Sequence, residues 1–387
     1  MRILFLTPRQ LDAPHSGGTI KSAALLAHLE QRHEVEVATF GPGWDRPTGR
    51  TVTIALERPR SVGRLVASYV RRIPLSIERT RSPRMAAAVA ASIADRPPDA
   101  VVVDGWLMAR YLPPGFTGRR LLHQHNAEHR MWHRQADLER SRWRRLAIRA
   151  EAARVERYER SIVGRFHVVF AVSEADRYAL LALGAPAPVP LLPNVPVPTL
   201  LDREPLRPIT EPTVLHLGTL SWPPNLEGVD RFLREGMPAL RGAVPNVRLL
   251  VAGAGAPASL REQVDRTPGV ELAGAPADDE PLYRGARCFL DAGLGGAGTR
   301  VKILNALARG LPVVATRDAA DGLEVEAGRD LLVVDDAAAA AVAVARVLRD
   351  DAAWTSLSEH GRAVIRERYR PDVTFSALDR ALEDDDG

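Results

Sequence analysis

The chain has 387 residues, 45% of them apolar and 26% charged, with a formal net charge of +4 at pH 7. This is the composition of a globular protein long enough for two domains, and the single cysteine, Cys288, excludes an internal disulfide and suits a reducing cytoplasm. No stretch reaches the roughly 18–20 apolar residues of a membrane span, and the opening run 1–6 is too short for a secretory signal. The mild positive charge fits an anionic ligand or a membrane surface and does not require nucleic acid.

Short apolar runs separated by helical patterns fill the first half of the chain. A loop containing Gly17 and Gly18 and an apolar-periodic helix over 20–32 separate the first two runs. The order strand, loop, helix, strand predicts a parallel sheet. The predicted strands lie at 3–6, 35–40, 101–103, 121–125 and 168–172.

A polar, arginine-rich stretch over 127–165 interrupts this series and is predicted to be helical. Between positions 130 and 165 it contains eleven arginines and five acidic residues. A solvated helical face with ion pairs between successive turns explains this pattern. A basic surface for an anionic lipid or polymer is the alternative, and would allow peripheral contact with the inner membrane face through 130–165.

Nine prolines between positions 184 and 212 oppose regular structure and mark the junction of two domains. We expect a first domain at 1–196, a linker at 197–212, a second domain at 213–370 and a tail at 371–387 that returns toward the first domain. Further strands are predicted at 214–218, 247–252, 270–272 and 287–291, and further helices at 228–240, 337–349 and 354–369.

The stretch 294–316 has the features of a phosphate site. Glycines precede an apolar-periodic helix that Gly310 and Pro312 terminate. The free N–H groups and the positive dipole at the start of a helix attract phosphate, and Arg300 and Lys302 add two cations there. An ordinary strand–loop–helix explains the stretch equally well by itself, because its glycine spacing is neither that of the P-loop nor that of the Rossmann motif.

Lysine is scarce in this chain. Of the 52 lysines and arginines, only Lys21 and Lys302 are lysines, and each follows a glycine-containing loop. An ammonium on a flexible stem is not interchangeable with a guanidinium. The placement therefore supports phosphate chemistry at Lys302, although chance could also produce it with two residues.

Seven short motifs occur in order along nearly the whole chain. They are Pro14–Gly18, His125–Glu128, Ala171–Glu174, Pro193–Val195, Gly218–Asn225, Gly274 after its short strand, and the loop and helix from Gly295 to Gly310. Together they resemble the motifs of the GT4 family of retaining, nucleotide-sugar-dependent glycosyltransferases. The resemblance implies the α/β GT-B fold, in which two Rossmann-like domains with parallel sheets face each other across a cleft.

The resemblance also implies roles for individual residues. His125 matches the family's histidine that contacts the donor sugar, although His123 leaves the register open. Arg300 and Lys302 match a clamp on the diphosphate that would stabilise charge on the leaving nucleotide. The positions implied to bind the donor are Gly17, Gly18, Gly218, Gly274, Gly298, Thr299, Val301 and Asn305. The family needs no metal or other cofactor, and the sequence spacing indicates no cluster of metal ligands.

The chain departs from the family pattern in two places, at a pair of glutamates and at a pair of cationic residues. The family commonly has two glutamates eight residues apart here, and this chain has Ala297 and Asn305. The second glutamate accepts hydrogen bonds from the donor's ribose, and an amide is a weaker acceptor. A cationic pair expected after the first strand of the second domain is also absent, and residues 222–225 occupy that place. These departures leave the nucleotide open among dTDP, UDP and GDP.

We therefore predict an enzyme that moves a sugar from a nucleotide-diphosphate sugar to an unidentified acceptor hydroxyl. Its partners would be that donor and that acceptor, without nucleic acid. Two alternatives remain open. The chain could be a nucleotide-sugar epimerase of the same fold, or a non-catalytic protein that binds and activates a partner enzyme.

Overall fold

The computed structural model describes residues 1–12, 17–44, 46, 48–55, 62–139, 141–294 and 300–383. The chain forms two compact units, one of Met1–Pro193 with Thr374–Gly387 and the other of Asn194–Val373. Residues 197–212, which the sequence assigns to a linker, fall within the second unit, and Leu200 is buried there. No helix in the described ranges is long and apolar enough to cross a membrane.

The first unit contains a six-stranded parallel sheet in the order β3-β2-β1-β4-β5-β6. Its two central strands, Arg2–Thr7 and Ala100–Asp104, each contain a continuous buried apolar run because helices cover both faces of a parallel sheet. The strands are β1 (Arg2–Thr7), β2 (Glu34–Phe40), β3 (Thr51–Ile54), β4 (Ala100–Asp104), β5 (Arg119–His123) and β6 (Val168–Phe170).

The helices of both units are numbered in chain order. In the first unit they are α1 (Gly17–Glu30), α2 (Val62–Val70), α3 (Leu75–Arg79), α4 (Pro83–Asp95), α5 (Glu128–Leu138), α6 (Arg142–Val163) and α7 (Glu174–Ala182). In the second they are α8 (Pro223–Arg231), α9 (Met237–Ala243), α10 (Ala258–Arg266), α11 (Glu280–Arg284), α12 (Val301–Ala308), α13 (Arg317–Ala320), α14 (Ala337–Arg349) and α15 (Asp351–Arg368), and the chain ends with α16 (Pro371–Thr374) and α17 (Ser376–Glu383).

The second unit repeats the topology of the first, with the strand order β12-β11-β10-β7-β8-β9, again parallel throughout. Its strands are β7 (Thr213–Leu217), β8 (Arg248–Ala252), β9 (Val270–Gly274), β10 (Cys288–Asp291), β11 (Val313–Thr316) and β12 (Leu332–Val334). Cys288 is buried in β10, as a small core residue, and burial raises the pKa of its thiol to about 12.

The predicted strands are confirmed, with ends that differ from the prediction by one or two residues. The strands expected at 121–125 and 168–172 end at His123 and Phe170, which form the last pair of their parallel ladder. His125 therefore lies beyond the sheet, in the loop that follows β5. The helix expected at 20–32 begins three residues earlier, at Gly17.

The single helical stretch predicted over 127–165 is two helices, α5 and α6. The chain leaves the helical path after Leu138, and Glu139 stabilises the break. Its carboxylate accepts a hydrogen bond from the Ser141 N–H at 2.8 Å, and its carbonyl accepts one from Arg145 Nε at 2.9 Å.

Candidate functional site

Both sheets place polar residues at the point where the strand order reverses. In open parallel sheets, ligands bind beyond the carboxyl ends of the strands at this switch point. In the first unit the reversal lies between β1 and β4, and in the second between β7 and β10. β4 ends in Asp104 and β10 ends in Asp291, so each switch point carries a buried carboxylate.

In the first unit, two histidines share one oxygen of Asp104. The distances from Asp104 Oδ1 are 2.8 Å to His123 Nδ1 and 3.0 Å to His125 Nε2. The other oxygen, Oδ2, accepts a hydrogen bond from Thr7 Oγ1 at 2.9 Å. Burial alone would raise the pKa of Asp104, but the two histidines outweigh it and hold that pKa well below its usual range. The carboxylate is therefore ionised and fixed by three partners.

The two histidines differ in access. The His123 side chain is fully buried, whereas the His125 side chain is 20% exposed. Burial, together with the charge of Lys21, lowers the pKa of His123 to about 3, so this ring is neutral at pH 7. Only His125 of the pair can meet a ligand without rearrangement.

The hydrogen bond to Asp104 fixes which nitrogen of His125 faces the glycine loop. With Nε2–H donating to the carboxylate, Nδ1 carries a lone pair. A side chain on Gly18 would meet this Nδ1 at 3.6 Å, and one on Gly105 would meet the Cδ2 of the same ring at 3.4 Å. Two glycines thus lie against the imidazole, whose Nδ1 is buried and has no hydrogen-bond partner among the described residues, and Gly17 begins the adjoining helix α1.

Lys21 lies in the same region and is completely buried. Its ammonium donates a hydrogen bond to the carbonyl oxygen of Leu192. Burial lowers its pKa to about 7, although the carboxylates of Asp104 and Asp176 favour the charged form. Lys21 therefore titrates near neutral pH beside the histidine pair.

Asp104, His123 and His125 also have the spacing of a metal site. Each offers one ligand atom, and these atoms lie within 4.8 Å of one another. The sequence spacing gave no indication of this group. The two hydrogen bonds to Asp104 Oδ1 account for the geometry, and the nearby Lys21 disfavours a second cation whenever its ammonium is charged.

In the second unit, Lys302 is held by two side chains at the other switch point. Its Nζ lies 2.8 Å from Asp291 Oδ1 and 3.0 Å from Asn225 Oδ1. Burial would raise the pKa of Asp291, but Lys302 and His216 outweigh it and lower that pKa. Gly218 follows β7, and a side chain there would lie 2.9 Å from Asn225 Nδ2 and 3.5 Å from Lys302 Nζ. The absent side chain is what lets these groups approach.

Arg300 sits at the start of α12 in a left-handed conformation, with φ at 52°. Its Nε donates to the carbonyl of Asp321 at 2.9 Å, and its Nη2 donates to that of Asp318 at 3.1 Å. The guanidinium is thus bonded to the loop around α13. The backbone of Arg300 therefore lies at the N-terminus of α12, whereas its charged group points to the carbonyls of Asp318 and Asp321.

The remaining predicted donor positions lie around α12 and β9. Val301 is buried, so it offers a ligand only its backbone. Asn305 is also buried, and its Oδ1 accepts a hydrogen bond from the Val197 N–H at 2.9 Å. Gly274 ends β9 in a left-handed conformation, with no atom within 4 Å of a side chain placed on it. Gly298 and Thr299, like positions 14–16 of the first motif, lie outside the described residues.

Comparison with solved structures identifies this architecture. The chain superposes on sucrose-phosphate synthase from Thermosynechococcus elongatus with a TM-score of 0.66 and 18% identity, covering 98% of each chain. It superposes on the Anabaena protein HepE, in complex with UDP and glucose, with a TM-score of 0.67 and 15% identity, covering 99% of each. The chain has the GT-B fold.

Two sequence comparisons match parts of the chain, and a further solved structure shares its fold. Residues 211–350 of this GT-B chain match the family model Glycosyl transferases group 1. A stretch of 172 residues is 26% identical to an uncharacterized 44.6 kDa protein in the cps region of Klebsiella pneumoniae, covering 43% of this chain and 44% of that protein. A trehalose-phosphate synthase (UDP-forming) from Burkholderia vietnamiensis also shares the fold, with a TM-score of 0.64 and 13% identity over 99% of each chain.

Sequence reasoning missed the two carboxylates that contact His125 and Lys302. Asp104 and Asp291 each end a buried strand, and a single acidic residue after an apolar run is the signal that could have found them. Their importance follows from the strand order, because β1 lies beside β4, and β7 lies beside β10. The sequence analysis included Asn225 only as the end of a motif. Its hydrogen bond with Lys302 was not predicted, because it depends on the path of the loop after β7.

Proposed function

We propose that the protein transfers a sugar from a dTDP-, UDP- or GDP-sugar to an acceptor hydroxyl, with retention of the anomeric configuration and without a metal or other cofactor. The observation that carries this proposal is the cluster of Lys302, Asp291 and Asn225, which holds an ammonium at the switch point of the unit that the family model matches. Among proteins of the same fold are one bound to UDP and glucose and two sugar-phosphate synthases.

Lys302 is suited to the charge that forms on the leaving group. As the bond between the sugar carbon and the phosphate oxygen breaks, the departing nucleoside diphosphate gains negative charge. An ammonium has three N–H donors, and Asp291 and Asn225 take two of them, so a third can reach a phosphate oxygen. The N-terminal turn of α12 adds its backbone N–H groups and the positive end of its dipole. Fixed donors and charges of this kind stabilise the transition state because they need no reorganisation.

His125 is suited to orient the sugar. Its Nε2 donates to Asp104, so the neutral ring would offer a sugar hydroxyl its Nδ1, which is buried beside Gly18 without a hydrogen-bond partner among the described residues. Retention requires the acceptor oxygen to arrive on the face from which the diphosphate leaves. Residues beside the sugar then serve to hold it, and the nucleotide must still be near when the new bond forms.

Arg300 and Asn305 complete the proposed donor site in supporting positions. Arg300 would offer its backbone and the edge of its guanidinium, which the carbonyls of Asp318 and Asp321 already hold in place. Asn305 uses one lone pair of its amide oxygen on Val197, and the second lone pair and the NH₂ group are what it could offer a ribose.

The test is nucleotide release from a panel of nucleotide-sugars with mixed hydroxyl acceptors. A thermal-shift screen of UDP-, GDP-, dTDP- and CDP-sugars first identifies the donor, since a bound ligand raises the apparent stability. Lys302→Ala should abolish most of the release, whereas Arg317→Ala, which removes an exposed ion pair with Asp335 in the same unit, should not. Proton NMR of the product then gives its anomeric configuration.

The outcomes separate the alternatives. Release of nucleoside diphosphate with a new glycoside supports the transferase. An inverted anomeric centre in that glycoside would contradict the proposed retention but not the proposed transfer. Conversion of one nucleotide-sugar into its epimer would support an epimerase. Tight binding of a nucleotide-sugar with no turnover would support a non-catalytic partner protein.

A further inference from the structure

Helix α2 carries an apolar stripe on its outer side. Val62, Leu65, Val66, Tyr69 and Val70 recur at i, i+3, i+4, i+7 and i+8, the spacing that normally faces a core. These side chains are instead between 42% and 77% exposed. They make up five of the eleven large hydrophobic side chains that are exposed in the described part of the chain, so exposure is concentrated on one short helix.

Polar contacts hold the opposite side of α2 against the protein. Ser68 is buried, its Oγ donates to the carbonyl of Ile73 at 2.8 Å, and it accepts from Arg154 Nη1 at 3.2 Å. Arg64 Nη1 donates to the carbonyl of Glu78 at 3.1 Å. Turning the apolar stripe inward would break these bonds and expose buried polar groups. The outward stripe is therefore a built feature of this unit.

The surroundings of the stripe are strongly basic. Residues 62–84 contain six arginines and a single acidic residue, Glu78. Glu78 is buried and pairs with Arg71 at 2.9 Å and with Arg81 at 4.0 Å. Arg72 follows at the end of the helix and is exposed. The segment that contains the stripe is therefore positively charged, and its arginines at 71, 72, 79, 81 and 84 are exposed.

We propose that this surface, the stripe of Val62–Val70 with the exposed arginines of 71–84, docks onto a bilayer that contains anionic lipids. α2 would lie in the boundary between headgroups and acyl chains, with the arginines against phosphates and Tyr69 at the level of the headgroups. Basic residues near an anionic membrane add to the attraction of the buried apolar area. We call this the α2 surface.

A second copy of the chain is a poorer occupant of the α2 surface. A twofold dimer places the same patch on both sides of the interface, so the exposed arginines of 71–84 would approach the same arginines of the other copy. Like charges brought together in this way oppose association. A bilayer with anionic headgroups offers both the opposite charge, in its headgroups, and an apolar layer, in its acyl chains.

The experiment is flotation of the full chain with vesicles of defined composition. Pure phosphatidylcholine vesicles are compared with vesicles that contain about one third phosphatidylglycerol, the anionic lipid. The test variant is Val66→Glu with Val70→Glu. Its matched control is Val342→Glu with Val373→Glu, which places the same two charges on exposed valines of the second unit. All four sites are exposed, so folding should survive, and circular dichroism checks it.

We expect wild type and the control variant to float with the anionic vesicles, and the test variant to lose at least roughly tenfold in partitioning. About 0.5 M NaCl should weaken the wild-type binding, because salt screens the arginines. Wild type that stays in solution with anionic vesicles overturns the proposal, as does a test variant that binds like wild type. Loss of binding in Trp143→Ser, with binding kept in the test variant, would place the contact on α6 and overturn the proposal. A dimer in sedimentation without vesicles that the test variant abolishes would assign the α2 surface to a second copy and also overturn it.

Discussion

The buried ammonium of Lys21 gives a measurable dependence of stability on pH. Its pKa in the folded protein is about 7, against 10.5 for an unperturbed lysine. Between these values the unfolded chain is protonated and the folded chain is not, so protons favour unfolding. The contribution of Lys21 to stability is therefore most unfavourable at and below pH 7 and becomes more favourable as pH rises toward 10.5.

The size of the effect follows from the shift. Each pKa unit corresponds to about 1.4 kcal/mol, so the full range amounts to about 5 kcal/mol. Between pH 7 and pH 9, partial protonation at the lower end reduces this to about 2 kcal/mol. Lys21→Met removes the titrating group and also the hydrogen bond to Leu192, which costs about 1–3 kcal/mol at every pH.

The assay is urea unfolding of wild type and Lys21→Met at several pH values, followed by tryptophan fluorescence and far-UV circular dichroism. Other titrations are common to both proteins and largely cancel in the difference. We expect the free energy of unfolding of wild type to rise relative to that of the variant by about 2 kcal/mol from pH 7 to pH 9. Leu25→Ala, a buried change on the same helix, is the control and should give an offset that does not vary with pH. Parallel curves for wild type and Lys21→Met would refute the reasoning.

Three further predictions concern the proposed reaction. Lys302→Ala should lower turnover by roughly 10²–10³-fold with little change in folding, and near-normal activity of this variant in a donor-dependent assay would contradict the phosphate clamp. Arg300→Ala should lower turnover less than Lys302→Ala, because the carbonyls of Asp318 and Asp321 already hold the guanidinium. His125→Ala should lower kcat more than it weakens binding of the free nucleoside diphosphate in calorimetry, whereas His123→Ala, at a buried position, should mainly lower stability. Asn305→Glu should shift binding from dTDP toward UDP and GDP by up to about tenfold, and wild type that binds UDP or GDP at least tenfold tighter than dTDP would contradict a role for the amide in nucleotide choice.

The orientation of α2 differs from what its sequence pattern indicates. A stripe at helical spacing is usually evidence for a buried face, and composition alone would place Val66 and Val70 in a core. The polar bonds of Ser68 and Arg64 to residues outside the helix decide otherwise. Such bonds join residues that no periodicity relates, so only the folded chain reveals that the stripe faces out.

Much of each unit was determined by the sequence itself. Continuous apolar runs and glycine-terminated helices carry local information, so most of the strands and the helix that ends before Gly310 could be predicted directly. The edge strands β3 and β12, which are short and only partly buried, were not predicted. The cationic residue beside a helix N-terminus, Lys302, was likewise visible because its neighbours in sequence are its neighbours in space.

The partners that give these side chains their chemistry were decided only by tertiary structure. Asp104 meets His125 across 21 positions of sequence, and Asn225 meets Lys302 across 77. A parallel sheet brings the carboxyl ends of its strands to one edge, whatever the length of chain between them. The strand order then selects which of those ends are adjacent, and that order depends on packing of the whole unit, which no local stretch encodes.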